Sequence, residues 1–337
     1  MLDSEAMVDL AATARALAAT PKGILAADES TPTADKRLAA YGIPTNEEMR
    51  RQYRDLFLSA PGIEQYLSGV ILYEETLSQK NADGVLFTEA LAALGVMPGI
   101  KVDQGTEAME GSPDEVITKG LLGLSDRLHG YRDAHGTRFT KWRAVIRIDG
   151  DRLPTSACVV ENAKRLAMGA RCVQEAGMVP ILEPEVLYDG THSRVRAKEV
   201  ITETLTALMK AVDEHGVDPS GMIIKTSMAL SGKESKKTDA PEEVAEDTLA
   251  ALTAAVPGSV PGIVFLSGGQ GNDQSTDNLR AIGKRASGAP WKLTFSFART
   301  LQDEGLKAWA GKSENVPAAR EAFLARLKAV SAATTGA

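Results

Sequence analysis

The sequence predicts a (β/α)8 barrel, and three observations carry that reading. Eight short apolar runs bounded by turn residues recur along the 337 residues, their starts 30 to 46 positions apart. The stretches between them, such as NAKRLAMGARCVQEAG and ITETLTALMKAVDEHG, carry helical spacing. Charged residues also stand at the ends of most runs. Strand–helix alternation repeated eight times in more than about 250 residues is the mark of this barrel.

In chain order the expected strands are GILAAD (23–28), GVILYEE (69–75), GIKVD (99–103), FTKWRAVIRI (139–148), VPILEPEV (179–186), MIIKTSM (222–228), GIVFLSGG (262–269) and KLTFSFAR (292–299). A doubly wound sheet would require a glycine-rich phosphate turn straight after the first strand. GILAADEST has no glycine there. No Pro/Ser-rich linker or low-complexity tract divides the chain, so the expectation is a single domain, 1–337, with an N-terminal helix and a short C-terminal tail. The apolar spacing of MLDSEAMVDLAATARALAAT fits a surface helix.

Composition narrows the function classes. Hydrophobic residues are 43% and charged residues 25%, the balance of a soluble globular protein. No apolar run approaches the roughly 18 residues of a membrane span, and the N-terminus lacks a basic segment followed by an apolar block. Net charge is −7 with no Lys/Arg-rich block, which argues against nucleic acid as a partner. Cys158 and Cys172 fall in one predicted helix, about 21 Å apart at 1.5 Å per residue, beyond disulfide reach. They are read as reduced packing residues, and the compartment as the cytoplasm.

Side chains two apart share a strand face. Ile24, Ala26 and Asp28 therefore point one way, as do Lys141, Arg143, Val145 and Arg147, and Ile181, Glu183 and Glu185. The opposite parity is mostly apolar, suited to packing under helices. A lone charge at a strand end is ordinarily solvated. Six strands ending alike on matched parity mark a shared polar site at the C-terminal mouth, where barrel active sites form.

Lys101, Lys141, Arg143, Lys225 and Arg299 there oppose Asp28, Glu183 and Glu185. A locally cationic mouth in an anionic protein favours an anionic substrate. Ser267-Gly268-Gly269 offers backbone N–H groups to a phosphate, with Arg299 on the next strand facing the same oxygens. Lys101 and Arg143 form a second cationic cluster. Two clusters across one mouth imply a substrate charged at both ends, a sugar bisphosphate.

Lys225, in MIIKTSM, has apolar side chains before it and no acidic residue within six positions. Apolar flanks and a facing cation such as Lys141 disfavour the ammonium. A neutral amine attacks a ketone and forms a Schiff base. Glu183 is placed to shuttle protons and Asp28 to take one from the C4 hydroxyl. The four histidines, His129, His135, His192 and His215, fall in or beside helices and loops and form no ligand pattern, so no metal and no cofactor is expected.

At KGILAADEST (22–31), GIKVDQG (99–105), FTKWRAV (139–145), PILEPEVL (180–187), FLSGGQ (265–270) and LKAWAGKSEN (306–315), the chain resembles the class I, Schiff-base-forming fructose-bisphosphate aldolases. The resemblance runs from about residue 21 to 325. It implies a (β/α)8 barrel, usually a homotetramer, that reversibly cleaves fructose 1,6-bisphosphate to dihydroxyacetone phosphate and glyceraldehyde 3-phosphate. By it, Lys225 matches the Schiff-base lysine, Glu183 the acid/base glutamate and Glu185 its neighbour. Asp28 matches the aspartate that assists C–C cleavage, and Lys141 the lysine beside the imine. Ser267, Gly268 and Arg299 match ligands of the C1 phosphate, while Lys101, Arg143, Ser30 and Thr33 fall at the other end of the substrate.

Three departures stand out. No tyrosine follows Tyr188, whereas eukaryotic members end in a tyrosine that assists proton exchange, so that exchange is expected to be slower or to pass to Glu185 or a bound phosphate. Thr226-Ser227 replaces the usual Pro-Asn, and Ala298 the glycine before Arg299. Fructose 1-phosphate and sedoheptulose 1,7-bisphosphate remain alternative substrates.

Overall fold

The computed structural model describes residues 4–337; Met1–Asp3 of the expected N-terminal helix lie outside the described residues. Ten strands occur in the order β1 (Gly23–Ala27), β2 (Leu67–Leu72), β3 (Met97–Lys101), β4 (Thr106–Met109), β5 (Ser112–Thr118), β6 (Phe139–Ile146), β7 (Val179–Val186), β8 (Ile223–Thr226), β9 (Gly262–Phe265) and β10 (Lys292–Phe297). Eight of them close in parallel as β1-β10-β9-β8-β7-β6-β3-β2. Closure leaves no sheet edge, and the helices between strands cover the outer face.

The alternation expected from sequence holds around the ring. Ile24, Ala26, Ile71, Phe139, Val179, Ile181, Ile223 and Val264 form one buried cluster inside the barrel. Leu25, Ala27, Ile100, Trp142, Ala144, Leu182 and Ile224 belong to a second, larger cluster between strands and helices. On β1, β3, β6, β7 and β8 the interior row becomes polar at or just past the C-terminal end of the strand, at Asp28, Lys101, Lys141, Glu183 and Lys225. Sequence thus fills the floor with apolar volume and leaves the mouth to charges.

The N-terminal helix has the amphipathic surface character expected. Asp9, Ala12, Arg15 and Ala16 of helix Ser4–Leu17 are exposed, while Leu10, Ala14 and Leu17, with Ala18 just beyond, are buried with the interior cluster and close the barrel floor. Close approach explains two glycines nearby. A Cβ on Gly262 would stand 2.1 Å from Ala18 Cβ, and one on Gly99 would stand 2.4 Å from the Phe139 ring.

Several expected strand ends are loops. Asp28 and Asp103 lie one and two residues beyond β1 and β3, Arg147 lies just past β6, and Arg299 opens a helix, Arg299–Trp309. The β4–β5 hairpin, above the mouth after β3, fell outside the eight apolar runs because its strands are short and largely exposed. Cys158 and Cys172 share helix Ser156–Glu175 as expected, and both thiols are free. The last helix, Val316–Ala333, runs back to the floor, where Ser331 Oγ donates to Pro21 O at 2.8 Å. Arg280 Nε donates to Ala337 O at 2.8 Å, so the final residue described lies far from the mouth.

Candidate active site

Lys225 sits on β8, Glu183 on β7 and Lys141 on β6, three adjacent staves, each residue 4% exposed. Lys225 Nζ lies 3.3 Å from Glu183 Oε1, and Lys141 Nζ 3.3 Å from Glu183 Oε2. Lys141 Nζ also lies 2.6 Å from Asp28 Oδ2. Parallel register and shared parity bring these groups from positions 28, 141, 183 and 225 into one chain of alternating charge.

This corrects one detail of the sequence reading. Lys225 was expected to face cations; instead a carboxylate stands between the two lysines. The geometry gives Lys225 a proton acceptor 3.3 Å away.

Burial opposes ionisation of Asp28, yet the Lys141 and Lys225 charges, a hydrogen bond from Lys141, and Lys101 hold its carboxyl below the usual range. Burial likewise pushes against Glu183 ionisation, while Lys141, Lys225 and Arg143 hold it low. Lys141 answers them: desolvation disfavours its charge, but Asp28, Glu183 and Asp103 raise its pKa. Lys141 is thus a fixed cation, and both carboxylates are ionised at neutral pH.

Beside this centre lies a cavity of about 700 Å³ whose wall includes Asp28, Ser30, Thr33, Lys101, Lys141 and Arg143, while Glu183 and Lys225 lie outside that wall. Its size is that of a small-molecule site. Ser30 caps helix Thr31–Ala40, with Ser30 Oγ and Thr33 Oγ1 3.0 Å apart, so hydroxyls and free helix N–H groups meet at one point. Lys101 binds Asp103 through the carboxylate and, at 2.7 Å, the carbonyl. Asp103 Oδ2 accepts the Arg143 N–H at 3.2 Å. Glu185 accepts from Arg143 Nε, so it orients this guanidinium rather than sharing the Glu183 cluster.

Ser267 and Gly268 do not lie on that cavity wall. They line a small recess beside it with Tyr188 and His192. Gly268 and Gly269 have φ of +59° and +97°, conformations that turn successive N–H groups outward. A Cβ on Gly269 would come within 3.4 Å of Arg299 Nη2, which places the guanidinium over this turn. Of the departures, Ser227 has a local role: its Oγ donates to Val186 O at 2.7 Å and ties β8 to β7 at the level of the lysine. Ala298 precedes the helix opened by Arg299 and packs against the interior cluster.

Arg127 and Glu29 are among the polar wall residues that escaped the sequence reading. Arg127, on helix Leu124–His135, reaches the cavity wall and donates to Val102 O at 3.0 Å, fixing the segment after β3. Glu29 lies between Asp28 and Ser30 and turns away from the lysines. Neither stands at the end of an apolar run, the one signal the strand pattern offered. Among the described residues, no group of three or more His, Cys, Asp or Glu is disposed to hold a metal ion. Among the described residues, no helix is long and apolar enough to cross a membrane.

Fold and site together define a (β/α)8-barrel enzyme with a lysine–carboxylate centre at its C-terminal mouth. The family model for class-I fructose-bisphosphate aldolase matches residues 9–337. The chain is 49% identical over 329 residues to cytosolic fructose-bisphosphate aldolase 6 of Arabidopsis thaliana, covering 98% of this chain and 91% of that protein. It is 48% identical over 328 residues to the cytoplasmic isozyme of Spinacia oleracea, covering 97% and 91%. A solved structure of fructose-bisphosphate aldolase from Plasmodium falciparum superposes with a TM-score of 0.96 at 42% identity, over 99% of this chain and 96% of that one. The chain belongs to the class-I fructose-bisphosphate aldolase family.

Proposed function

We propose that this fructose-bisphosphate aldolase cleaves its substrate through a Schiff base on Lys225, in the cytoplasm, as the names of its relatives suggest for them. The observation that supports this most is the Lys225–Glu183–Lys141–Asp28 chain, with contacts of 3.3, 3.3 and 2.6 Å. Glu183 takes a proton from the Lys225 ammonium, and the freed amine attacks C2 of the open-chain ketose. Glu183 then returns that proton to the carbinolamine hydroxyl, which leaves as water. The iminium accepts the C3–C4 bonding electrons once Asp28 removes the C4 hydroxyl proton, releasing glyceraldehyde 3-phosphate. The enamine left behind is protonated at C3 and hydrolysed to dihydroxyacetone phosphate.

Lys141 serves both halves of this sequence. Its fixed charge keeps Asp28 ionised and ready as a base, and it balances the negative charge beside the forming imine. Arg299 with the Ser267–Gly269 turn binds the C1 phosphate. Ser30, Thr33, Lys101 and Arg143 bind the phosphate at the other end. A homotetramer, the usual assembly of the family, is the expected state in solution, and light scattering after size exclusion reads it directly.

Borohydride reduction in the presence of dihydroxyacetone phosphate, followed by peptide mapping, tests the covalent step. The expected outcome is an adduct on Lys225 alone and none in Lys225→Met, which folds but does not cleave. An adduct elsewhere, or turnover by Lys225→Met, would sink the mechanism.

A further inference from the structure

We propose that Arg37, Tyr53 and Asp303 form an ionic clamp that fixes the spacing between the two phosphate subsites, and so sets the preference for a substrate phosphorylated at both ends; the inference rests on the aldolase reading above. Arg37 lies on helix Thr31–Ala40, whose first turn carries the Ser30 and Thr33 subsite. Gln302 and Asp303 lie three and four residues beyond Arg299, on the helix that carries the other subsite. Arg37 Nη1 donates to Glu29 and, at 2.8 Å, to Gln302 Oε1; Nη2 donates to Asp303 Oδ1 at 2.7 Å. One guanidinium therefore binds the two subsite helices and the loop between Asp28 and Ser30. A lysine, with one nitrogen, cannot reach all three acceptors.

The clamp has a rigid base. Tyr53 OH donates to Glu29 Oε1 at 3.0 Å, and the Arg37 guanidinium lies 5.5 Å from the Tyr53 ring centroid. Tyr53 is buried edge-on against Phe57, and Phe57 against Phe323, so the phenol is anchored in the helix layer. The side chains of Arg37 and Glu29 are only 12% and 11% exposed, which leaves little water to replace a lost contact. β1 and β10 pair within the barrel, but their ladder stops below the loops. Above it, the clamp ties Glu29, just before helix Thr31–Ala40, and Arg37 in the last turn of that helix to the start of helix Arg299–Trp309. Asp28 has its own anchor in Lys141, so the chemistry at the imine does not depend on the clamp.

A bisphosphate touches both subsites at once and is sensitive to their spacing; fructose 1-phosphate needs only the one at Arg299. Arg37→Lys, Asp303→Asn and Tyr53→Phe are compared with the wild-type chain on fructose 1,6-bisphosphate and fructose 1-phosphate. The expected result is a rise in KM for the bisphosphate of about tenfold in Arg37→Lys and about threefold in the other two, the scale of one charge-assisted hydrogen bond. Both kcat values and KM for fructose 1-phosphate stay within about twofold. Equal losses on both substrates, or none on either, overturn the clamp. Should Arg37→Lys fail to fold by circular dichroism, the two milder variants decide. Borohydride trapping runs in parallel: a wild-type chain that traps no dihydroxyacetone phosphate defeats the aldolase reading itself, whatever the KM ratio.

Discussion

Lys141 touches both carboxylates that the mechanism needs, at 2.6 and 3.3 Å, and it is the strongest of the charges that hold Asp28 and Glu183 low. Replacing it with methionine removes that charge while burial stays, so both carboxyl pKa values rise. A base that must be ionised then loses activity at a higher pH than before. Lys141→Met is expected to lower kcat on the order of 10²-fold and to move the acid limb of the kcat profile upward in pH. Lys141→Arg, which keeps the charge, restores much of the limb. An acid limb that stays put in Lys141→Met would mean that Asp28 and Glu183 are not the groups it reports.

Strands and helices show where the sequence was legible and where it was not. A period of two in runs such as GILAAD and VPILEPEV is produced by a sheet with one face in the barrel and one under helices, so the ring and its interior charges could be read directly. Helix Ser4–Leu17 has the same apolar spacing whether it lies on the side of a barrel or under it. Periodicity gives the face and not the partner, so the surface helix could be read but not that its apolar face closes the barrel floor. Lys225 shows the same limit: its apolar neighbours are local, while Glu183, which sits beside it, is 42 positions earlier. The plug gives a test at this scale. Leu17 is fully buried against the interior cluster, so Leu17→Ala should cost about 2–5 kcal/mol in denaturant unfolding. Gly262→Ala drives a methyl against Ala18 and should cost about 1–3 kcal/mol. Losses below about 0.5 kcal/mol at both positions would mean that the helix does not seal the barrel floor.

At the scale of the whole chain, acidic groups held in their charged form recur well beyond the site. Burial disfavours Glu75 ionisation, but Arg50, with hydrogen bonds of 2.7 to 3.1 Å, and Arg54 bring its pKa down. Glu115, also opposed by burial, is held low by the Thr155 hydroxyl and N–H, and Glu48 is brought to about 2 by hydrogen bonds from Arg51 and Gln52. Asp28 and Glu183 belong to the same class. The folded chain therefore binds fewer protons than the unfolded one wherever ordinary carboxylates titrate. Each such group contributes stability that is fully present above about pH 4–5, the unfolded range, and is lost as pH falls through the lowered folded values. His192 acts in the same direction from a higher starting point: burial lowers its pKa, so unfolding takes up a proton below about pH 6.5. Tm should be level from pH 8 to 7, decline gently toward pH 5, and fall steeply below about pH 4. Glu75→Gln, which leaves Arg50 and Arg54 without their carboxylate, should lower Tm at pH 7 and flatten the steep part of the curve. A wild-type Tm at pH 3 equal to that at pH 7 would contradict this distribution of charge.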